Sequence, residues 1–226
     1  MTFDPALLAT YTPRLLTGLG WTAALCLAAL VVAVPWGFTL ALLRRAHWSL
    51  DRIVAAYVSA LRGTPLLIQL FLAYYGGPQI GLVLSAAQVG MIGLALYGGA
   101  YYAEIFRAGL NGVARGQVEA ARALGLSWAQ AMRQVQLPQL LALALPPATG
   151  QAIVLLKESA VLSVITVPEL TFETTRMVTE TLAVVEPYFA LALLYWLAST
   201  LVATIGQRAE AALTRHLHLQ PSHSRP

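Results

Sequence analysis

Five apolar runs, each long enough to cross a membrane as a helix, recur along this 226-residue chain with charged stretches between them. No other feature constrains the fold as strongly. Hydrocarbon offers no water to satisfy backbone N–H and C=O groups, so a spanning segment must be a helix or part of a closed barrel. The runs are continuous rather than alternating, which selects helices. They cover about 15–43, 53–75, 85–110, 138–156 and 188–205. Arg62-Gly63-Thr64-Pro65 interrupts the second, and Gly76-Gly77-Pro78 closes it with turn chemistry. Only 11% of residues are charged, against about 25% in a soluble domain, so the chain has too few polar groups to cover a water-facing surface. The expectation is an all-α polytopic membrane protein, a single domain over 1–226, with about five transmembrane helices.

Charge placement sets the orientation. Arg44, Arg45, Arg52 and Arg62 flank the first loop, Arg107, Arg115, Arg122 and Arg133 the third, and Arg208, Arg215 and Arg225 the tail. Opposite them stand Arg14, Lys157 and Arg176 among six acidic residues. The positive-inside rule puts the third loop and the C-terminus in the cytoplasm, and the N-terminus and the acidic segment after Lys157 outside. The net charge of +4 is mostly this bias and does not point to nucleic acid. The first run follows a polar lead and is too long for a signal-peptide core, so it reads as an uncleaved helix. Residues 160–167 are apolar but too short to cross alone. They continue the fourth helix after a break at Lys157-Glu158-Ser159, or form a re-entrant or interfacial segment.

The third loop, 114–138, is a polar island. Gln117 to Leu124 favours helix. Gly125 can end that helix, Ser127 can cap a second beginning at Trp128, and Pro138 suits the first turn of the next membrane helix. Two short helices joined at a glycine make a rigid element that can dock into a partner's groove. Glu119-Ala120-Ala121, three residues, Gly125, nine residues, then Val135-Gln136-Leu137-Pro138 resembles the EAA loop of permease subunits of ABC importers. Val135 stands where that pattern has Ile.

The resemblance covers essentially the whole chain. Arg62-Gly63-Thr64-Pro65 is similar to a segment of the polar amino-acid permeases. So are the run from Ala100 to Gly109, Gly116-Gln117 before Glu119, and Lys157-Glu158-Ser159 followed by Val167-Pro168-Glu169-Leu170. It implies the type I ABC importer permease fold in a bacterial inner membrane. It also implies import of a polar amino acid by alternating access, with Glu119, Ala120, Ala121, Gly125, Leu137 and Pro138 coupling the chain to an ATPase. The only lysine, Lys157, is not in a glycine-rich phosphate loop. ATP and Mg are therefore expected on two separate ATPase subunits. A second permease copy or paralogue and a periplasmic amino-acid-binding protein complete the implied assembly.

Ionisable residues within membrane helices are functional candidates by default. Glu104 and Arg107, three apart on one helix face, can pair. Arg62, beside Gly63 and near Pro65, can anchor a helix end or bond a facing helix. Lys157, Glu158 and Ser159 offer both signs of charge at an expected helix break, which suits a zwitterion; alternatively the two charges pair or mark the span's outer boundary. Phe71, Tyr74, Tyr75 and most tryptophans read as interfacial or packing residues. Cys26 cannot form an intrachain disulfide, and His216, His218 and His223 sit in a polar tail. The chain carries no nucleophile–base arrangement, so no enzyme, resident cofactor or metal site is expected. An ion-gradient transporter and a non-transporting scaffold that docks an ATPase remain the alternatives.

Overall fold

The computed structural model describes residues 4–217. Arg225, His218 and His223 lie outside them. The elements are α1 (Pro5–Ala46), α2 (Trp48–Gly63), α3 (Leu66–Phe71), α4 (Ala86–Gly112), α5 (Arg115–Ala123), α6 (Trp128–Ala131), α7 (Leu137–Glu158), α8 (Leu170–Thr181) and α9 (Val185–Leu217). Four stretches are long and apolar enough to cross a membrane: Ala6–Ala46, Ala86–Gly112, Trp128–Ile165 and Val185–Leu213. The fifth, Trp48–Gly63 with Leu66–Ile80, is bent by 102°. The expected five spans are therefore four rods and one broken helix.

Three details differ from the sequence reading. First, α1 begins ten residues earlier than the apolar run, because Asp4 accepts a hydrogen bond from the Ala6 amide at 2.9 Å and Pro5 suits a first turn. Second, α2 stops at Gly63: Pro65 pushes Thr64 into an extended conformation, and the chain turns. Arg62 thus lies near the far end of a 16-residue helix, about 21 Å along it, and is not a loop arginine. Third, no break occurs at Lys157-Glu158-Ser159. The helix tightens to a 3-10 turn over Ser159–Ile165 and ends at Thr166, which takes a left-handed conformation with φ 64°.

Small residues set the packing. Gly37 of α1 lies so close to α4 that an added Cβ would sit 2.8 Å from the Ala103 amide nitrogen. Gly109, Gly98 and Gly90 of α4 face Leu140, Leu155 and Leu162 in turn, so α4 and α7 run antiparallel. Without a hydrophobic driving force between helices in lipid, such close approach is how spans gain contact. Leu70, Leu94, Leu155, Leu162 and Ile165 fill the core where the broken span meets α4 and α7. Outward side chains such as Val31, Trp196 and Leu201 remain well over half exposed, as expected of a lipid-facing surface.

The two ends of the bundle differ. One carries Arg44, Arg45, Arg52 and the α5–α6 element; the other carries α8. That helix buries Leu170, Thr174 and Met177 on one face and exposes Thr175, Arg176, Thr179 and Glu180 on the other.

Candidate functional site

A polar stripe runs along α4 inside the bundle. Tyr97, Tyr101 and Glu104 are spaced by four and three residues, so they share one helix face. The Tyr97 hydroxyl donates to that of Tyr101 at 3.1 Å. The Arg62 guanidinium, from the end of α2, lies over the Tyr101 ring at 4.9 Å from its centre. Arg62 forms no ion pair among the described residues. Arg44, Ser59, Arg62, Tyr101 and Glu104 line a cavity of about 460 Å³. That volume holds an amino acid, and the lining presents both signs of charge.

The expected pair of Glu104 and Arg107 forms, at 2.6 Å, but it is part of a larger set. Arg44 also reaches Glu104 at 2.5 Å and Asp51 at 2.6 Å. This network ties the ends of α1 and α2 to α4. Ser159 is buried, and its hydroxyl donates to the Leu156 carbonyl, so it presents no free group. Lys157 and Glu158 form no ion pair with each other among the described residues. Nor do they mark the span's boundary. Gly98 faces Leu155 and Gly90 faces Leu162, so both charges lie level with the interior of α4. Sequence reading missed the union of Arg62 with Tyr97 and Tyr101; the only signal was the helical spacing of Tyr97, Tyr101 and Glu104.

The polar island folds as two helices at the arginine-rich end. α5 ends in a turn where the Leu126 amide donates to the Ala121 carbonyl at 3.2 Å and Gly125 has φ +89°, a glycine-dependent helix stop. Ser127 then caps α6: its hydroxyl accepts from the Gln130 amide, and the Gln130 side chain accepts from the Ser127 amide. The second short helix does not stand apart from the membrane. It runs through one wide turn, Met132–Gln136, straight into α7, with Pro138 in the first turn. Gln139 of α7 donates to the Gln117 side chain of α5 at 2.5 Å. Glu119, Ala120, Leu124 and Gly125 face solvent, Leu124 at 82%, while Ala121 is buried and Leu137 and Pro138 are half-buried.

At the opposite end, Glu169 is fully buried. Its carboxylate accepts from the Thr171 and Phe172 amides at 2.9 and 2.8 Å and from the Tyr195 hydroxyl at 3.1 Å. It caps α8 and fastens it to α9. Burial pushes this carboxyl above its ordinary value, the hydrogen bonds opposing only in part. Nearby, Glu180 receives Tyr11 and Arg14 from α1, and the Tyr11 hydrogen bond holds it below the usual range. Among the described residues no three His, Cys, Asp or Glu side chains converge as metal ligands.

Comparison with known proteins places this architecture. The chain is 36% identical over 192 residues to the probable amino-acid ABC transporter permease protein YckA of Bacillus subtilis (strain 168), covering 84% of this chain and 85% of that one. It is 35% identical to the probable amino-acid ABC transporter permease protein PatM of Vibrio harveyi, covering 95% and 98%. A solved structure described as an amino acid ABC transporter with histidines superposes with TM-score 0.86 at 37% identity, over 94% of this chain and all of that one. An inward-facing MetNI methionine ABC transporter at 23% identity shares the fold, with TM-score 0.74. Residues 33–215 match the family model described as the inner membrane component of binding-protein-dependent transport systems. The chain belongs to that family: it is a multi-pass permease subunit of an ABC importer, not itself an enzyme, and works with an ATPase and a substrate-binding protein.

Proposed function

We propose that this permease imports a polar amino acid. The observation that carries the reading is whole-length similarity to permeases named for amino-acid transport. The cavity beside α4 supports it: Arg62 offers five N–H donors with no carboxylate partner, a match for an α-carboxylate. Glu158, which has no ion-pair partner among the described residues, faces the ammonium group, while Glu104 stays held by Arg44 and Arg107. The pathway comprises Arg62, Tyr101 and Glu104, with Lys157, Glu158 and Arg107 flanking it. Ser159 shapes the wall rather than binding.

The arginine-rich end faces the cytoplasm, with the N-terminus periplasmic and the C-terminus cytoplasmic. A second permease copy or paralogue faces this one across the pathway, and two ATPase subunits carry ATP and Mg. The ATPase groove receives Glu119, Ala120, Leu124 and Gly125. When ATP draws the ATPases together, the α5–α6 element moves. The Gln117–Gln139 bond and the unbroken passage of α6 into α7 carry the motion past Leu137 and Pro138 to Lys157 and Glu158. Alternating access follows from tilting α7 against α4. Membership of a binding-protein-dependent family favours this ATP-driven reading over an ion-gradient transporter or a scaffold.

The test is affinity purification from the native membrane, followed by uptake in proteoliposomes with the recovered partners. Recovery of an ATPase and a binding protein, with ATP-dependent uptake of a polar amino acid, is the expected result. Uptake without ATP, or an ATPase recovered with no binding protein and no transported solute, would count against it.

A further inference from the structure

The arginine-rich end holds two neighbouring cavities. The larger, about 700 Å³, lies between the end of α1 and the α6 side of the loop, walled by Thr39, Leu42, Leu43, Trp128 and Met132. The smaller, about 150 Å³, has Val113 and Val118 in its wall together with the charged Arg115 and Glu119. The two share Arg45, Val118 and Gln136 as walls. Neither Arg45 nor Arg115 forms an ion pair among the described residues. Gln136 is only 9% exposed, yet its side-chain amide makes no hydrogen bond among them. An apolar chamber joined to a cationic one, with an unpartnered amide at the junction, matches an amphiphile carrying an anionic head.

Depth narrows the occupant further. Thr39 lies nearly two helical turns inside Arg45, within the apolar part of α1. An acyl chain in the bilayer reaches that level, whereas a partner arriving from water meets Arg45 and Arg115 first. We propose that the paired cleft binds an anionic phospholipid from the leaflet at the arginine-rich end. The headgroup lies between Arg45 and Arg115 and bonds the Gln136 amide, while one chain lies against Leu42, Leu43 and Met132. Glu119 is the one acidic wall, so the cleft keeps a net positive charge. The bound lipid braces α5 against α1, beside the exposed Glu119, Ala120 and Leu124.

The intact transporter, with its ATPase subunits, is stripped of lipid and titrated with dioleoyl phosphatidylglycerol or dioleoyl phosphatidylcholine, counting adducts by native mass spectrometry. Phosphatidylglycerol is expected to bind about tenfold more tightly, from two arginines near the headgroup. Arg45→Gln with Arg115→Gln removes that preference; Arg52→Gln, held over Trp48 on α2, preserves it. A benzophenone side chain at position 43 should capture lipid in native membranes. Equal affinity for both lipids, a preference that survives the double variant, inorganic phosphate alone binding as tightly as phosphatidylglycerol, or capture of an ATPase subunit at position 43 overturns the proposal.

Discussion

Single residues carry unusual loads in this protein because buried polar groups must be satisfied from within. Glu169 accepts two amides and a hydroxyl in a site closed to solvent. Glu169→Ala leaves those donors without an acceptor and is expected to cost about 1–3 kcal/mol. Glu169→Gln keeps one acceptor oxygen and should cost less; thermal unfolding of the purified permease at pH 7 distinguishes them. The pH dependence has a definite sign. The folded carboxyl titrates above its ordinary value of 4.5, so folding takes up a proton. The stability contributed by protonated Glu169 is full below pH 4.5 and is lost as pH rises through the folded value. The difference between the natural chain and Glu169→Gln should therefore shift toward the natural chain on acidification, and a flat difference would contradict the assignment. Arg62 is the counterpart in the proposed pathway. Arg62→Ala is expected to lower uptake at least about tenfold by removing a charge-assisted contact, with membrane level unchanged. Unaltered uptake kinetics would remove Arg62 from the pathway.

At the scale of elements, α5 and α6 are set by local rules. Gly125 has φ +89° and open space where a Cβ would go, so substitution there acts through backbone conformation rather than collision. Gly125→Val should cost about 1–2 kcal/mol at the turn and reduce substrate-stimulated ATP hydrolysis. Gly125→Trp adds bulk on the proposed docking face and should abolish transport while membrane insertion stays intact; normal uptake by that variant would sink the coupling assignment. Ser127→Ala removes one half of a capping box, an effect of about 1 kcal/mol, and should weaken coupling less than either glycine change. The glycine stop, the Ser127 cap and the placement of Pro138 were all legible in the sequence, since each depends on neighbours in the chain. The fusion of α6 with α7 was not, because the wide turn over Met132–Gln136 carries no distinctive residue.

At the scale of the molecule, close approach between helices decides whether the bundle forms. A Cβ at Gly37 would meet the backbone of α4 at 2.8 Å, whereas one at Gly20 meets nothing within 4 Å. Gly37→Val should therefore prevent stable accumulation in the membrane, and Gly20→Val should not; quantitative immunoblotting of membrane fractions reads the contrast. Equal accumulation of both would mean that α1 and α4 pack less tightly than the structure has them. The same packing brings Arg62 to Tyr101 and Arg44 to Glu104, contacts between residues far apart in the chain.

The sequence alone determined the number of spans, their helical character and the form of the α5–α6 element. Hydrocarbon leaves the backbone no alternative to helix, and caps and stops act over a few residues. Only the tertiary structure decided which charges meet. Glu104 and Arg107 were visible as helix neighbours, but the addition of Arg44 and Asp51 was not. The packing of α2 against α4, through Val54 and Val58 on Ala100 and Ala103, and not composition, brings Arg62 to the Tyr101 ring. Likewise, Glu169 reads as one acidic residue among several outside the spans until α1, α8 and α9 close around it. Helix formation is local and follows from sequence; the partners of a buried charge depend on where distant segments of the chain are packed.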